Sequence, residues 1–348
     1  MNALRNPGVR AGLLSAVLFG TATPLAKLLL DDLSPWLLAG LLYSGSGLGL
    51  CIYRAVRRAP RVQLPSGDRL PLAGAVFFGG LVAPVLLLIG LDRIPASGAS
   101  LLLNAEAVFT AVLAWVVFRE NVDRRVAAGM SLIVAGAGVL AVANGVDPGS
   151  LWPSLAVVGA CACWGLDNNL TRKVALNDAT WLAAVKGGVA GPVNLVLALV
   201  AGATLPHAAQ VAEAVVIGFF AYGVSLVLFI VALRQVGTAR AGAYFSIAPF
   251  FGGVLAVLMG ERVTGSLLAA GALMALGVWL HLAERHEHEH THPAQTHTHR
   301  HTHDEHHQHD HDGVVAAGVT HTHEHSHEEL THVHSHYPDS HHRHTHGG

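Results

Sequence analysis

Charge is scarce in this sequence, and histidine is scarce everywhere except at the C-terminal end. Charged residues make up 13% of the 348 residues, against ~25% in ordinary soluble domains, while 52% of the residues are hydrophobic. Of the 25 histidines, 23 lie in residues 286–348. The composition therefore predicts a membrane domain followed by a polar tail, and we expect no nucleic-acid partner.

Several features of secreted proteins and soluble enzymes are also missing. The three cysteines, Cys51, Cys161 and Cys163, all lie in apolar stretches, so no disulfide framework is indicated. The sequence contains no Gly-x-x-x-x-Gly-Lys-Ser/Thr loop and no nucleophile and base on a soluble domain. We therefore expect neither ATP-driven transport nor an enzyme, and no required cofactor.

Long apolar runs recur along the first 285 residues. About 20 apolar residues in a helix cross a bilayer, and the first run is too long for the core of a cleavable signal peptide. Ten spans are predicted, at residues 11–30, 36–53, 70–91, 94–118, 125–143, 152–171, 180–202, 212–233, 238–259 and 264–282. We therefore predict an all-α membrane protein with the lipid bilayer as a partner.

The distribution of Lys and Arg predicts the orientation of these spans. With the N-terminus inside, 15 basic residues lie at inner ends, whereas only Lys27, Arg93 and Arg262 lie at outer ends. An excess of Lys and Arg is typical of cytoplasmic segments. Both termini are therefore predicted to be cytoplasmic, in a multi-pass protein of the plasma (inner) membrane.

One helix pattern occurs twice. Residues 94–120 resemble residues 236–261, and a shift of 141 positions superposes Phe109 on Phe250 and Glu120 on Glu261. Five helices per half is an odd number, so the second half must cross the membrane in the opposite sense. This is the inverted-repeat plan of secondary transporters, which bind their solute between the halves near the midplane.

A set of short motifs follows the spans in order. They are Phe19-Gly20, Pro24 and Lys27 in the first span, the Leu-Ser-Pro turn at residues 33–35, and the helix ends at Arg119-Glu120 and Gly260-Glu261. Over residues 10–283 this pattern resembles EamA-like members of the drug/metabolite transporter superfamily. The resemblance implies ten helices and a central cavity lined by the first four helices of each half. Val108 departs from it, because the second repeat has Pro249 at the matching position.

Glu106 is the deepest charged residue, ~18 Å from the outer end of the fourth span by helical rise. An ionised side chain at such depth costs at least ~2.5–3.5 kcal/mol, and burial disfavours its charged form. A carboxylate in this position suits proton uptake and release. Glu106 is therefore the predicted coupling group.

Other polar side chains lie in the sixth and seventh spans. Asp167 and Lys186 are almost equidistant from the turn near residue 176, so two straight antiparallel helices would place them at one depth as an ion pair. Such a pair either serves transport or only locks the two helices together. Asn168, Asn169 and Asn194 are predicted either to line a cavity or to hydrogen-bond neighbouring helices.

The tail alternates histidine with Thr, Glu or another polar residue. Imidazole suits Zn, Ni, Co and Cu, and a tract with almost no apolar residues cannot form a core, so we expect a disordered tail that binds divalent transition-metal ions. The predicted ligands are His286, His288, His290, His292, His297, His299, His301, His303, His306, His307, His309, His311, His321, His323, His325, His327, His332, His334 and His336.

The sequence therefore predicts two EamA-like five-helix repeats, residues 1–146 and 147–285, followed by the tail, residues 286–348. The favoured function is a secondary transporter that moves a small metabolite or drug-like solute by alternating access, coupled to protons. A divalent metal (Ni/Co/Zn) exporter and a non-transporting, membrane-tethered metal buffer or sensor are the alternatives. A homodimer also stays open.

Overall fold

The computed structural model describes residues 6–118, 124–143, 148–175, 177–204, 206–236, 238–282, 287–292, 295–301, 321–327 and 330–335. The chain divides into two units, residues 1–284 and residues 285–348. The described part of the first unit is helical throughout. The described part of the second unit consists of four short strands.

The first unit contains fifteen α-helices in its described residues. They are α1 Pro7–Gly20, α2 Ala22–Leu29, α3 Pro35–Val56, α4 Arg69–Ala75, α5 Ala83–Arg93, α6 Ala96–Leu102, α7 Ala105–Phe118, α8 Arg124–Ala143, α9 Pro148–Val174, α10 Ala179–Val200, α11 Ala208–Ile217, α12 Ser225–Val236, α13 Thr238–Phe245, α14 Ala248–Leu258 and α15 Gly265–Leu282. A 3₁₀ turn, Ser66–Asp68, precedes α4. Two π-helical segments, Val76–Val82 and Gly218–Val224, join α4 to α5 and α11 to α12.

Several of these helices join into segments that are long and apolar enough to cross a membrane. In the described residues there are six such segments: Pro7–Leu29, Pro35–Val56, Ser66–Arg93, Ala96–Leu113, Ala179–Val200 and Ala208–Gln235. Shorter apolar helices cover Ala127–Ala143, Ala248–Leu258 and Gly265–Leu280. The structure thus confirms the predicted all-helical membrane class for this unit.

The helices are irregular where the sequence places proline. The Thr21 junction between α1 and α2 lies three residues before Pro24, the first π-helical segment ends just before Pro84, and α14 begins one residue before Pro249. Proline lacks an N–H, so it leaves a carbonyl of the preceding turn without its helical donor. Pro192 behaves differently, because it lies inside the uninterrupted helix α10.

The α6–α7 junction is broken although no proline is present. The Asn104 N–H donates to the Leu101 oxygen, and the Glu106 N–H donates to the Leu103 oxygen at 3.0 Å, so the chain tightens to i→i+3 bonds there. The Asn104 side-chain amide also donates to the Leu101 oxygen at 3.0 Å, which competes with helical bonding. Val108 therefore replaces a proline without restoring a continuous helix.

Helices α3 and α10 pack with their backbones in contact. Gly47 of α3 lies against Gly187 and Gly188 of α10, and a Cβ on Gly47 or Gly187 would overlap the backbone of the opposite helix. Small residues permit this approach in membrane helices. Lys186, the neighbour of Gly187, therefore lies in the part of α10 that packs closely on α3.

The second unit contains two antiparallel strand pairs. Strands β1 Glu287–His292 and β4 Leu330–Ser335 pair with each other, as do β2 Gln295–His301 and β3 His321–His327. The prediction of disorder therefore differs from the structure in these segments. The alternation of histidine with other residues has the period of a β-strand, which permits the pairing. Isolated two-stranded pairs are at best marginally stable in water.

The start of α10 is held by a polar cluster outside the membrane spans. Asp178 accepts the Trp181 N–H at 2.9 Å and the Thr180 hydroxyl at 2.6 Å, and it forms an ion pair with Arg54 at 2.8 Å. Burial alone would raise the pKa of Asp178, but these three partners outweigh it and lower the pKa. The carboxylate therefore serves as both helix cap and ion-pair partner.

Replacing Asp178 separates these two roles. We expect Asp178→Ala to reduce the free energy of unfolding by about 1 kcal/mol, because the cap is lost, whereas Asp178→Asn keeps a cap and loses only the ion pair. Because the folded pKa is lowered, the wild-type advantage over Asn should be present at neutral pH and disappear as the pH falls through that pKa. Thermal unfolding in detergent at several pH values measures both effects. An Asn variant as unstable as Ala would contradict the capping role.

Candidate functional site

A small cavity lies between the helices of the first unit. Its volume is about 60 Å³, enough for a handful of water molecules. It is lined by Phe19, Tyr43, Ser46, Glu106, Trp164, Asp167, Asn168, Ala183, Lys186, Gly187, Tyr222, Ser225, Leu226, Phe229 and Phe245. Four of the six predicted transport residues, the charged three and Asn168, therefore meet at one site.

The expected contact between Asp167 and Lys186 is present. The Lys186 ammonium donates to Oδ1 and Oδ2 of Asp167 at 2.7 and 2.6 Å, and the two side chains are only 5% and 7% exposed. The Thr171 hydroxyl donates to Oδ1 at 2.9 Å. Each charge is thus neutralised by the other, which is the arrangement that makes buried charge tolerable.

Glu106 lies in the first turn of α7, directly after the α6–α7 break, and is half-buried. The amide of Asn168 donates to its Oε1 at 2.7 Å and also approaches the Thr110 hydroxyl at 3.3 Å. A carboxylate near a helix N-terminus is favoured by the helix dipole. The break therefore gives Glu106 a polar environment that a continuous apolar helix would not provide.

The other two predicted asparagines have helix-packing contacts. Asn169 is buried and donates to the oxygens of Gly165 at 2.8 Å and Thr110 at 3.2 Å, which ties α9 to α7. Asn194 is fully buried and donates to the Gly80 oxygen at 3.2 Å. Neither residue belongs to the cavity lining, so the structure places them as interhelical hydrogen-bond donors.

The π-helical segment Val76–Val82 supports the site in a way that sequence reasoning missed. The Gly79 carbonyl has no helical donor, because the Ala83 N–H donates to Phe78 and Pro84 has no N–H. The Tyr43 hydroxyl and the Trp164 indole donate to it instead, at 2.7 and 3.1 Å. The sequence around this segment contains Gly79-Gly80 and Pro84, but glycine and proline alone do not specify a π-helix.

Gly79 also fixes the position of the ion pair. A Cβ at this residue would overlap the carboxylate of Asp167, so only glycine allows the two helices to approach there. The two donors to the Gly79 oxygen therefore come from α3 and α9, and the acceptor belongs to the π-helical segment. These contacts connect the aromatic residues of the cavity lining to the Asp167–Lys186 ion pair.

Aromatic rings form much of the cavity wall. The Phe19 ring lies 5.8 Å from Trp164, 5.9 Å from Tyr222 and 5.1 Å from Phe245, measured between centroids. Tyr43 lies 5.2 Å from Tyr222. Such spacings are typical of aromatic contacts. The site therefore combines a closely packed aromatic wall with three charged side chains.

Two charged side chains, Glu261 and Lys27, cap the helix ends near residues 91–97. The Glu261 carboxylate accepts the N–H groups of Ala96 and Ser97, at 2.6 and 2.8 Å, at the start of α6. Lys27 donates to the oxygens of Leu91 and Asp92, at 2.6 and 3.0 Å, at the end of α5. Both contacts match charge to the helix dipole, and they agree with a structural role for Glu261. Glu120 lies outside the described residues.

The predicted metal ligands lie in the second unit, where the structure does not describe side chains. His286, His303, His306, His307, His309, His311 and His336 lie outside the described residues altogether, and the remaining predicted histidines are described by backbone alone. Among the described side chains there is no group of three His, Cys, Asp or Glu that could hold a metal ion. Metal binding by the tail therefore stays a prediction.

Apolar helices of spanning length around a small cavity with buried charge define an integral membrane protein with an internal polar site. The profile of the EamA-like transporter family matches residues 6–142 and again residues 151–283. The chain therefore belongs to the EamA-like transporter family. The double match agrees with the repeated pattern found in the sequence.

Three curated relatives are similar to this chain over most of their own length. An "Uncharacterized transporter" of Methanothermobacter thermautotrophicus is 27% identical over 76% of this chain and 83% of its own. A "Probable terminal-alkyne amino-acid exporter" of Streptantibioticus cattleyicolor is 30% identical over 63% of this chain and 75% of its own. A "Probable amino-acid metabolite efflux pump" of Salmonella typhimurium is 27% identical over 78% of this chain and 93% of its own.

The buried ion pair gives a direct test of the site geometry. Neutralising one partner strands the other charge, so we expect Asp167→Asn or Lys186→Met alone to cost about 3–5 kcal/mol of unfolding free energy. The double variant should cost much less than the two single costs combined. Unfolding of the purified protein in detergent measures the coupling.

The control for this cycle is the Arg54–Asp178 pair. Its side chains are 12% and 33% exposed, so the same cycle there should show a coupling below about 1 kcal/mol. Additive single effects at Asp167 and Lys186 would contradict the assigned ion pair.

Proposed function

We propose that this protein is a secondary transporter that moves a small metabolite or drug-like solute across the plasma membrane by alternating access. The observation that carries the proposal is the cavity itself. Placing charged side chains inside apolar helices costs free energy, and intramembrane charges mark solute pathways more often than not. Membership of a transporter family supports the same reading.

Two inverted five-helix halves would provide the alternating access. The double family match, the helix breaks at Leu103-Asn104 and Ser246-Ile247, and the two π-helical segments support a duplicated architecture. Ten spans with both termini in the cytoplasm follow from the apolar runs and the Lys and Arg bias. Broken helices near the middle of the membrane are the usual location of a transporter site.

The solute is an amino acid or a small molecule derived from one. Two relatives support this assignment, since one is named a probable terminal-alkyne amino-acid exporter and the other a probable amino-acid metabolite efflux pump. The aromatic wall around Phe19 and Trp164 suits the apolar part of such a solute. The Glu106 carboxylate suits its amino group.

Glu106 couples solute movement to protons. The carboxylate is reached through the cavity, and its only close side-chain donor among the described residues is the neutral amide of Asn168. A carboxylate that is neutral in one state and ionised in another can load a proton on one side of the membrane and release it on the other. Asp167 is unsuited to this role, because both of its carboxylate oxygens already accept from the Lys186 ammonium.

The coupling role predicts a specific transport defect. Glu106→Gln keeps the shape and the hydrogen bond of the side chain but removes its titration. In proteoliposomes loaded with an amino-acid panel, we expect this variant to lose transport driven by a pH gradient, while some exchange at equal pH persists.

The control must leave the cavity unchanged, so the double variant Lys186→Met with Asp167→Asn is not suitable. The exposed Glu213 provides a carboxylate-to-amide control as Glu213→Gln, which should behave like the wild type. Proton-driven transport by Glu106→Gln would contradict the proposal.

The histidine-rich tail is proposed as a cytoplasmic appendage that binds divalent transition metals. Deletion of residues 286–348 should leave membrane insertion and detergent stability unchanged, because the composition of the tail offers few apolar residues to pack against the helices. Titration with Zn or Ni should show several weak sites that disappear with the tail. Transport of the same amino-acid panel with and without the tail then distinguishes a regulator from a cargo collector. Unfolding of the truncated protein would overturn the appendage role.

A further inference from the structure

The cavity contains an unbalanced negative charge. Of the side chains that line it within the described residues, three are charged: Glu106, Asp167 and Lys186. The ammonium of Lys186 bonds both oxygens of Asp167, so these two form a neutral unit. Ionised Glu106 has no cationic partner in that lining. The site therefore presents a net single negative charge to a solute.

The hydrogen bonds show which atoms are open to a solute. Asn168 donates to Oε1 of Glu106 at 2.7 Å, whereas no donor among the described side chains reaches Oε2. The Lys186 ammonium is committed to Asp167, and the Thr171 hydroxyl adds a further bond to the same carboxylate. A solute carboxylate therefore finds no open cation, while a solute cation finds an open carboxylate oxygen.

The aromatic wall adds a second attraction for positive charge. Phe19 packs within 6 Å of Trp164, Tyr222 and Phe245, and all four rings line the cavity that contains Glu106. Ring faces attract an ammonium group within ~6 Å, and Trp attracts it most strongly. The same rings cover the apolar body of a small amine. Anions gain nothing from these faces.

We propose that the cavity selects solutes carrying an ammonium group, which binds between the Glu106 carboxylate and the aromatic wall. The inference rests on the proposed function, since it names the solute class of the same cavity. Small primary amines with an apolar body match both the Glu106 carboxylate and the aromatic wall. Binding of the ammonium and binding of a proton exclude each other, because each neutralises the same carboxylate.

A matched pair of probes tests the charge requirement. 2-Phenylethylamine and 2-phenylethanol have the same size and differ in an ammonium group against a neutral hydroxyl. Their affinities for the purified full-length protein in detergent are measured by isothermal titration and by the shift of the unfolding temperature. We expect the amine to bind at least about tenfold more tightly than the alcohol.

Three variants assign that preference to Glu106. Glu106→Gln should bind the two probes with nearly equal affinity, whereas Glu106→Asp, which keeps the charge, should retain most of the preference. Glu213→Gln removes an exposed carboxylate outside the cavity and should leave the tenfold ratio intact. The unfolding temperature without ligand verifies that each variant is folded.

The binding assay tests the solute class, and the transport assay tests the transport function, so each can fail without the other. Equal affinities for the two probes, no binding of the amine by the wild type, or a preference that survives in Glu106→Gln would overturn the proposal. Flux without amine preference would refute only the solute class. Amine preference without any flux would refute the transport function and leave the binding site standing.

Discussion

Charge placed in a low-dielectric interior must be neutralised where it stands, and this constraint shapes the structure around Asp167 and Lys186. Their two bonds of 2.6–2.7 Å make a neutral pair between α9 and α10. Glycines at residues 47 and 187 let α10 approach α3, and Gly79 lets the π-helical segment approach Asp167. Among the charged residues of the described lining, Glu106 is then left without an oppositely charged partner, and the electrostatics of the cavity follow from this pairing.

Irregular helices supply the polar groups that the lipid cannot. A continuous membrane helix uses all its carbonyls internally, but the π-helical segment before Pro84 leaves the Gly79 oxygen free. Tyr43 and Trp164 satisfy that oxygen, which anchors the aromatic wall next to the ion pair. The break at Leu103-Asn104 does the same for Glu106, by placing it in the first turn of a new helix. Such irregular segments are frequent at functional sites.

Some of these features could be predicted from the sequence, and others could not. Apolar runs predict spans well because burial in lipid demands them, and the depth argument correctly predicted contact between Asp167 and Lys186. Asn194 shows the limit. Its intramembrane position was compatible with cavity lining, but its contact with Gly80 depends on a π-helical segment that no local pattern specifies. The α6–α7 break was equally hidden, since the first repeat has Val108 where the second has Pro249.

The tail shows a different limit. Its composition predicts metal binding through ligand chemistry, but alternation with a period of two is shared by disordered tracts and by strands. The four strands β1 to β4 therefore could not be foreseen from composition alone.

The central claim is that one cavity serves both sides of the membrane in turn. Leu226 lines this cavity, is half-buried, and makes none of the polar contacts of the site. In a variant without the three native cysteines, Leu226→Cys can be labelled with a membrane-impermeant maleimide in right-side-out and inside-out vesicles. Alternating access predicts labelling from both sides, slowed by a transported solute on either side. Labelling from one side only, with or without solute, would contradict it.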